Sequence, residues 1–227
     1  FSFAGMTFTK AGTYTFTMKE VLPGAATEEN GYTVAGVAYD THEAKVTVTV
    51  TDPGTGQLVA NVGVDDGLFE NAYAPAPAET SIEVEKSFTG REGGAWLDSD
   101  SFAFSVEPYG EETQAAADAG KVYLSAGGSA EATIGKDTAG HKASLGGIVF
   151  EKAGTYTFLV REVLPDEATE ENGYTVRGIA YDADGRIVTV QVEDNLDGTM
   201  TATVDTAGVM LEDGVTASSL VFANVYT

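Results

Sequence analysis

The seven residues KAGTYTF at Lys10 to Phe16 occur again at Lys152 to Phe158, and ATEENGYTV at Ala26 to Val34 occurs again at Ala168 to Val176. Both pairs lie 142 residues apart, so one folding unit is present twice and each copy must bury its own core. The same offset relates Tyr39 and Asp40 to Tyr181 and Asp182, Val46 to Val48 with Val188 to Val190, and Gly56 to Gly198. It then changes: FENAY at Phe69 to Tyr73 matches FANVY at Phe222 to Tyr226 with an offset of 153. The second copy therefore carries 11 extra residues before its last motif, which are expected in a surface loop.

Residues 79–142 have no counterpart, because it would fall before residue 1. The expected organisation is a partial repeat over 1–74 that lacks its opening strands, a proline-containing linker over 75–78 and a complete repeat over 79–227. On that reading the chain is an excerpt of a longer protein. The alternating prolines of Ala74-Pro75-Ala76-Pro77-Ala78 favour an extended, semi-rigid connection, which suits a rod.

Within each copy, apolar and aromatic residues alternate with threonine and charged residues, as at Thr13 to Val21, Val46 to Thr51 and Ile148 to Val163. Asn30-Gly31, Asn172-Gly173 and Asp197-Gly198 supply turns. The one helical pattern is short, from Glu112 to Ala119, and is stopped by Gly120. These patterns predict an all-β chain of tandem immunoglobulin-like sandwiches with one helical insertion.

Composition narrows the function. The 227 residues, 43% hydrophobic, suffice for two cores. With 35 acidic against 12 basic residues the formal charge is -23, which repels nucleic acid and anionic lipid. Most of that charge keeps the surface soluble, and no EF-hand spacing occurs, so neither a metal nor another cofactor is expected. The absence of cysteine rules out disulfides and thiolate chemistry. No apolar run reaches the length of a membrane helix, and the first residues, FSFAGMTFTK, lack the blocks of a signal peptide. His42 and His141 are the only histidines and form no triad or metal cluster with other motifs, which argues against a turnover enzyme.

Period-two alternation places three polar residues in phase with apolar ones in the second copy. Glu162 follows Tyr156, Phe158 and Val160; Lys86 stands between Val84 and Phe88; Asn224 stands between Phe222 and Tyr226. The first copy repeats two of these, as Glu20 after Tyr14, Phe16 and Met18, and as Asn71 between Phe69 and Tyr73. Burial is costly for an isolated amine or carboxylate and pushes each toward its neutral form. Two readings follow. One is a buried Lys86-Glu162 ion pair beside a hydrogen-bonded Asn224. The other is chemistry: a neutral Lys86 amine attacks the Asn224 carboxamide, and a protonated Glu162 polarises the carbonyl and relays protons as ammonia leaves, producing an intramolecular isopeptide bond.

Val84 to Gly90 (VEKSFTG), Trp96 to Phe104 (WLDSDSFAF), Ala153 to Val163 (AGTYTFLVREV), Ile179 to Asp182 (IAYD) and the closing FANVY, in this order, resemble the streptococcal pilin isopeptide-linkage domain family. That family is related in architecture to collagen-adhesin B-type repeats, and the resemblance spans nearly all of the second copy, while its later motifs span the first. It implies a spontaneous bond between Lys86 and Asn224 with Glu162 assisting, and a structural stalk or pilus-shaft segment outside a Gram-positive cell, on the cell wall or pilus. Any catalysis is then a single self-directed turnover, and the partners are neighbouring repeats of the same parent protein.

The first copy departs from the family pattern, because Glu20 and Asn71 have no amine on a matching strand. Lys19 and Lys45 are out of phase and Lys10 adjoins a turn. Asn71 is thus expected to stay unlinked unless an external lysine-bearing strand completes the repeat. The rival function is an adhesin module that binds a host glycan or protein through Trp96, Tyr109 and Tyr123; their alternative role is packing.

Overall fold

The computed structural model of the chain describes residues 5–217 and 219–227, so the opening residues of the segment read as lacking a signal peptide lie outside it. Two compact units are present, Phe1–Ala74 and Pro75–Thr227.

In the first unit the strands are β1 (Gly12–Met18), β2 (Thr33–Val34), β3 (Val37–Ala38), β4 (Ala44–Thr51), β5 (Val59–Asp65) and β6 (Ala72–Tyr73). They form two three-stranded sheets, β1-β4-β5 and β2-β3-β6. The Asn-Gly pairs do not make two-residue hairpins. Each closes a single 3-10 turn in which Asn30 or Asn172 accepts backbone N–H groups at Thr27 and Thr33 or at Thr169 and Thr175, while Gly31 and Gly173 take positive φ at its end.

The second unit contains β7 (Ala78–Thr89), β8 (Ser101–Tyr109), helix α1 (Glu111–Asp118), β9 (Val122–Ser129), β10 (Glu131–Gly135) and β11 (Lys142–Phe150). These are followed by β12 (Gly154–Val163), β13 (Thr175–Val176), β14 (Ile179–Ala180), β15 (Arg186–Asp194), β16 (Met200–Leu211) and β17 (Val221–Tyr226). One sheet has the order β10-β8-β12-β15-β16 and the other β13-β14-β17-β7-β11-β9. Their inner faces share one core, with Ile82, Val84, Phe150 and Phe222 from one sheet against Phe104, Phe158, Val160, Val188 and Val190 from the other. This is the expected all-β sandwich, and α1 is its single helical insertion, tied down where the Thr157 N–H donates to Thr113 Oγ1 at 2.9 Å.

The alternation from Ile148 to Val163 is not one strand. Residues 151–153 carry the chain from β11 in one sheet to β12 in the other, and the Tyr156 hydroxyl donates to the Lys152 carbonyl at 2.8 Å to hold the corner. The 11 extra residues are not a simple surface loop either. Ile187 pairs with Met210 but Thr189 with Asp205, so residues 206–209 bulge from β16, and Val209 lies fully buried beneath the bulge.

The first and last strands of this unit, β7 and β17, are parallel neighbours, with Lys86 opposite Phe222 and Phe88 opposite Asn224. At their ends Gly90 has φ +92°, and a Cβ there would sit 2.1 Å from the Tyr226 carbonyl oxygen. Gly90→Ala should therefore cost about 2 kcal/mol or more, which thermal unfolding would register. Unchanged melting would show that the two strand ends separate without cost.

In the first unit β1, β4 and β5 correspond to β12, β15 and β16, and β2, β3 and β6 to β13, β14 and β17. Nothing among its described residues corresponds to β7–β11. The consequence is visible on the expected core face: Phe16 is 37% exposed and Val62 65% exposed, whereas Phe158, the equivalent of Phe16, is 2% exposed.

Candidate functional site

Glu162 projects from β12 toward the opposite sheet, where Lys86 of β7 and Asn224 of β17 lie on adjacent strands. All three residues are buried among apolar side chains. The Lys86 Nζ donates to Glu162 Oε2 at 2.7 Å, and Asn224 Nδ2 donates to Glu162 Oε1 at 2.7 Å. One carboxyl group thus bridges the amine and the amide nitrogen. Lys86 Nζ also lies over the Phe102 ring, 4.8 Å from its centre.

Desolvation is the largest influence on both ionisable groups. It pushes the Lys86 amine below its usual range against the opposing pull of Glu162, and pushes the Glu162 carboxyl above its own despite Lys86 and Asn224. The two shifts favour the same exchange, a proton passing from Lys86 to Glu162, which leaves a nucleophilic amine beside a carboxylic acid.

The structure therefore brings together Lys86, Glu162 and Asn224. It differs from the expectation in one contact. In the structure both Glu162 oxygens face nitrogen rather than the Asn224 carbonyl oxygen. The backbone N–H of Asp182 donates to Asn224 Oδ1 instead, at 2.8 Å. A backbone donor carries no residue-type signal, although the Tyr181-Asp182 repeat of Tyr39-Asp40 marks the segment.

The first unit keeps half of this wiring. Asn71 Nδ2 donates to Glu20 Oε1 at 2.9 Å and the Asp40 N–H donates to Asn71 Oδ1 at 2.8 Å. Glu20 Oε2, the counterpart of the oxygen that accepts from Lys86, is buried without a hydrogen-bond partner among the described residues. Asn71 is exposed rather than core-facing, and Glu20 lies just beyond β1 and is half-buried, because no strand among the described residues covers them as β7 covers their counterparts. Lys19 pairs with Glu43 at 4.0 Å on the surface, and Lys45 is exposed.

His42, aligned with Asp184, belongs to this first site. Its Nδ1 lies 2.7 Å from Asp40 Oδ1, and its ring stacks on Phe69 at 4.3 Å. Hydrogen bonding to Asp40 raises the His42 pKa above 6.5, while the Glu70 and His42 backbone N–H groups and the imidazole hold Asp40 at about 2. A raised histidine pKa stabilises the fold fully below the unfolded value and loses that contribution as pH rises through the folded value. As pH rises through the His42 titration, which lies above the ordinary histidine range, the Asn71 side-chain resonance should shift and that of Asn224 should not, since Arg186 stands in the histidine's role there. His42→Ala should remove the shift; a shift that survives it would place its origin elsewhere.

Of the aromatic residues considered for adhesion, Trp96 packs edge-on against Phe88 and Phe102 at 5.6 and 5.4 Å and stacks on His141 at 4.0 Å. Tyr123 is exposed and donates to Glu151, and Tyr109 is also exposed. No helix among the described residues is long and apolar enough to cross a membrane.

Two all-β units on one strand plan, each with a carboxyl group hydrogen-bonded to a carboxamide in or just before its last strand, define a tandem sandwich of the isopeptide-domain class. The family model for the Spy0128-like isopeptide containing domain matches residues 1–74 and 82–227, and the chain belongs to that family. Similar solved structures include the major pilin protein T-13 from Streptococcus pyogenes, at 14% identity and TM-score 0.38, covering 67% of this chain and 54% of that one. A point mutant of the Streptococcus pyogenes major pilin is 18% identical, with TM-score 0.26, over 97% of this chain and 71% of that chain. The chain thus spans about half the length of the first of these. No curated protein matches it significantly.

Proposed function

We propose that this chain is a load-bearing segment of a pilus shaft or surface stalk outside a Gram-positive cell, joined to neighbouring repeats of its parent protein and strengthened by a self-formed bond between Lys86 and Asn224. The observation that carries the reading is the Glu162 carboxyl group, buried and 2.7 Å from both the attacking and the leaving nitrogen.

The chemistry balances without a cofactor. Proton transfer to Glu162 leaves Lys86 neutral, its Nζ adds to the Asn224 side-chain carbonyl carbon, and Glu162 takes the second proton from Nζ after giving one to Nδ2. The C–N bond to Nδ2 breaks, ammonia departs and an amide joins the two side chains. It is a single turnover and regenerates no enzyme. Because β7 and β17 are adjacent parallel strands, tension applied at the ends of this unit is borne by the new bond rather than by their hydrogen bonds.

On the same reading the first unit is a partial repeat with an acceptor set, Glu20 and Asn71, that awaits a lysine on an external strand. The unpartnered Glu20 Oε2 supports this. Intact mass tests both statements: the purified chain should be lighter than its sequence by one ammonia. No loss would refute the Lys86 bond, and loss of two without an attached partner would refute the unlinked state of Asn71. Exposed Tyr109 and Tyr123 are the observation that keeps a host-binding role as the second reading, which glycan-array binding would test.

A further inference from the structure

Asp182 lies in the loop between β14 and β15 and grips β17 twice. Its backbone N–H donates to Asn224 Oδ1 at 2.8 Å, and its Oδ2 accepts from the backbone N–H of Ala223, the preceding residue, at 3.0 Å. The same Oδ2 accepts from Arg186 Nη2 at 2.9 Å, and Oδ1 accepts from the Asp184 N–H at 3.2 Å. Arg186 is itself fixed: Nη1 donates to the Asp184 carbonyl at 2.8 Å, and the guanidinium lies 4.8 Å from the centre of the Phe222 ring. The two side chains are 11% and 9% exposed, so solvent screens the pair little.

When an amine adds to a carboxamide, negative charge forms on the carbonyl oxygen. A donor already aimed at that oxygen stabilises the transition state without reorganising, and losing one such donor typically slows a reaction about 100-fold or more. Backbone N–H groups are good donors for this purpose only when their loop cannot swing. Here the loop is held through the aspartate side chain.

The arrangement recurs in the other copy of the repeat. In the first unit the Asp40 N–H donates to Asn71 Oδ1, and Asp40 Oδ2 accepts from the N–H of Glu70, again the residue before the asparagine, at 3.0 Å. The cation has changed, with His42 in place of Arg186, yet the double grip on the asparagine strand is the same.

We infer that Asp182, locked by Arg186, positions Asn224 for cross-linking: its backbone N–H holds the carbonyl and stabilises the charge on Oδ1 while its carboxylate fixes the strand. This rests on the proposed Lys86-Asn224 bond, in which Glu162 handles the protons and Asp182 the oxygen.

The test is a pulse of cell-free synthesis of the full chain followed by intact mass at intervals. Asp182→Ala should slow ammonia loss about 100-fold and Arg186→Gln about tenfold. Asp182→Asn keeps an oxygen that accepts from Ala223 and Arg186, so it should stay within about threefold of the parent chain. In a Lys86→Ala background, where no bond can form, Asp182→Ala should move the Asn224 carboxamide resonance toward that of a free amide and leave the core resonances in place. Asp182→Asn should move neither. Linking of Asp182→Ala at the parental rate would overturn the inference alone, as would slow linking accompanied by core-wide resonance changes, which would mark a general loss of structure. A parent chain that loses no ammonia would overturn the cross-link itself and this inference with it.

Discussion

Lys86→Ala, Glu162→Ala and Asn224→Ala should each give a chain with its full sequence mass and a melting transition of the second unit roughly 10–20 °C below that of the parent. Residues 86 to 224 enclose a loop of 138 residues (224 − 86). Closing a loop of that length restricts the unfolded chain by about 5 kcal/mol in the chain-entropy treatment, which applies to any covalent tie. The fall in melting temperature follows because 1 kcal/mol moves a unit of this size by about 2–4 °C. The three variants also leave different debris. Lys86→Ala strands a buried carboxyl group that can protonate, whereas Glu162→Ala leaves a buried amine and carboxamide with no shared partner. Their melting temperatures should differ, but none should lose ammonia. A variant that retains both the mass loss and the melting temperature would remove its residue from the reaction.

The double variant Lys86→Met/Glu162→Leu should also melt well below the parent, and this outcome separates the two readings of the site. Replacing a buried ion pair by apolar residues of similar volume is often neutral, or stabilising by about 1–4 kcal/mol, because the desolvation cost disappears with the charges. If Lys86 and Glu162 are only an ion pair, the double variant should therefore match or exceed the parent. If they make a bond, the same variant forfeits about 5 kcal/mol of loop restriction, and the apolar replacement offsets only part of that. The sign of the change in melting temperature decides between them, with intact mass as an independent readout.

The two inward carboxyl positions, the lysine and the asparagines are legible in the chain because strands alternate with period two, and a polar residue in phase with Tyr156, Phe158 and Val160 stands out. The helix at Glu111–Asp118 is equally legible from its alanines and the glycine that ends it. The corner at residues 151–153 is not, since apolar residues resume in the same phase on both sides of it. Nor is the bulge at 206–209, where extra residues carry Val209 into the core instead of forming an outer loop. Both depend on which sheet the chain enters next, and that is decided by packing.

The repeated motifs determine by themselves that one sandwich plan occurs twice, and the strand period determines which side chains face inward. Only the tertiary structure places Lys86, Glu162 and Asn224 in one cluster, across sequence separations of 76 and 62 residues. It alone supplies the Asp182 N–H, and it alone exposes Phe16 and Asn71, which share their phase with buried Phe158 and Asn224. The physical reason is that periodicity is a property of one strand, whereas burial and proximity need a second sheet. The second unit has that sheet, and in the first the strands that would bear it have no counterpart among the described residues.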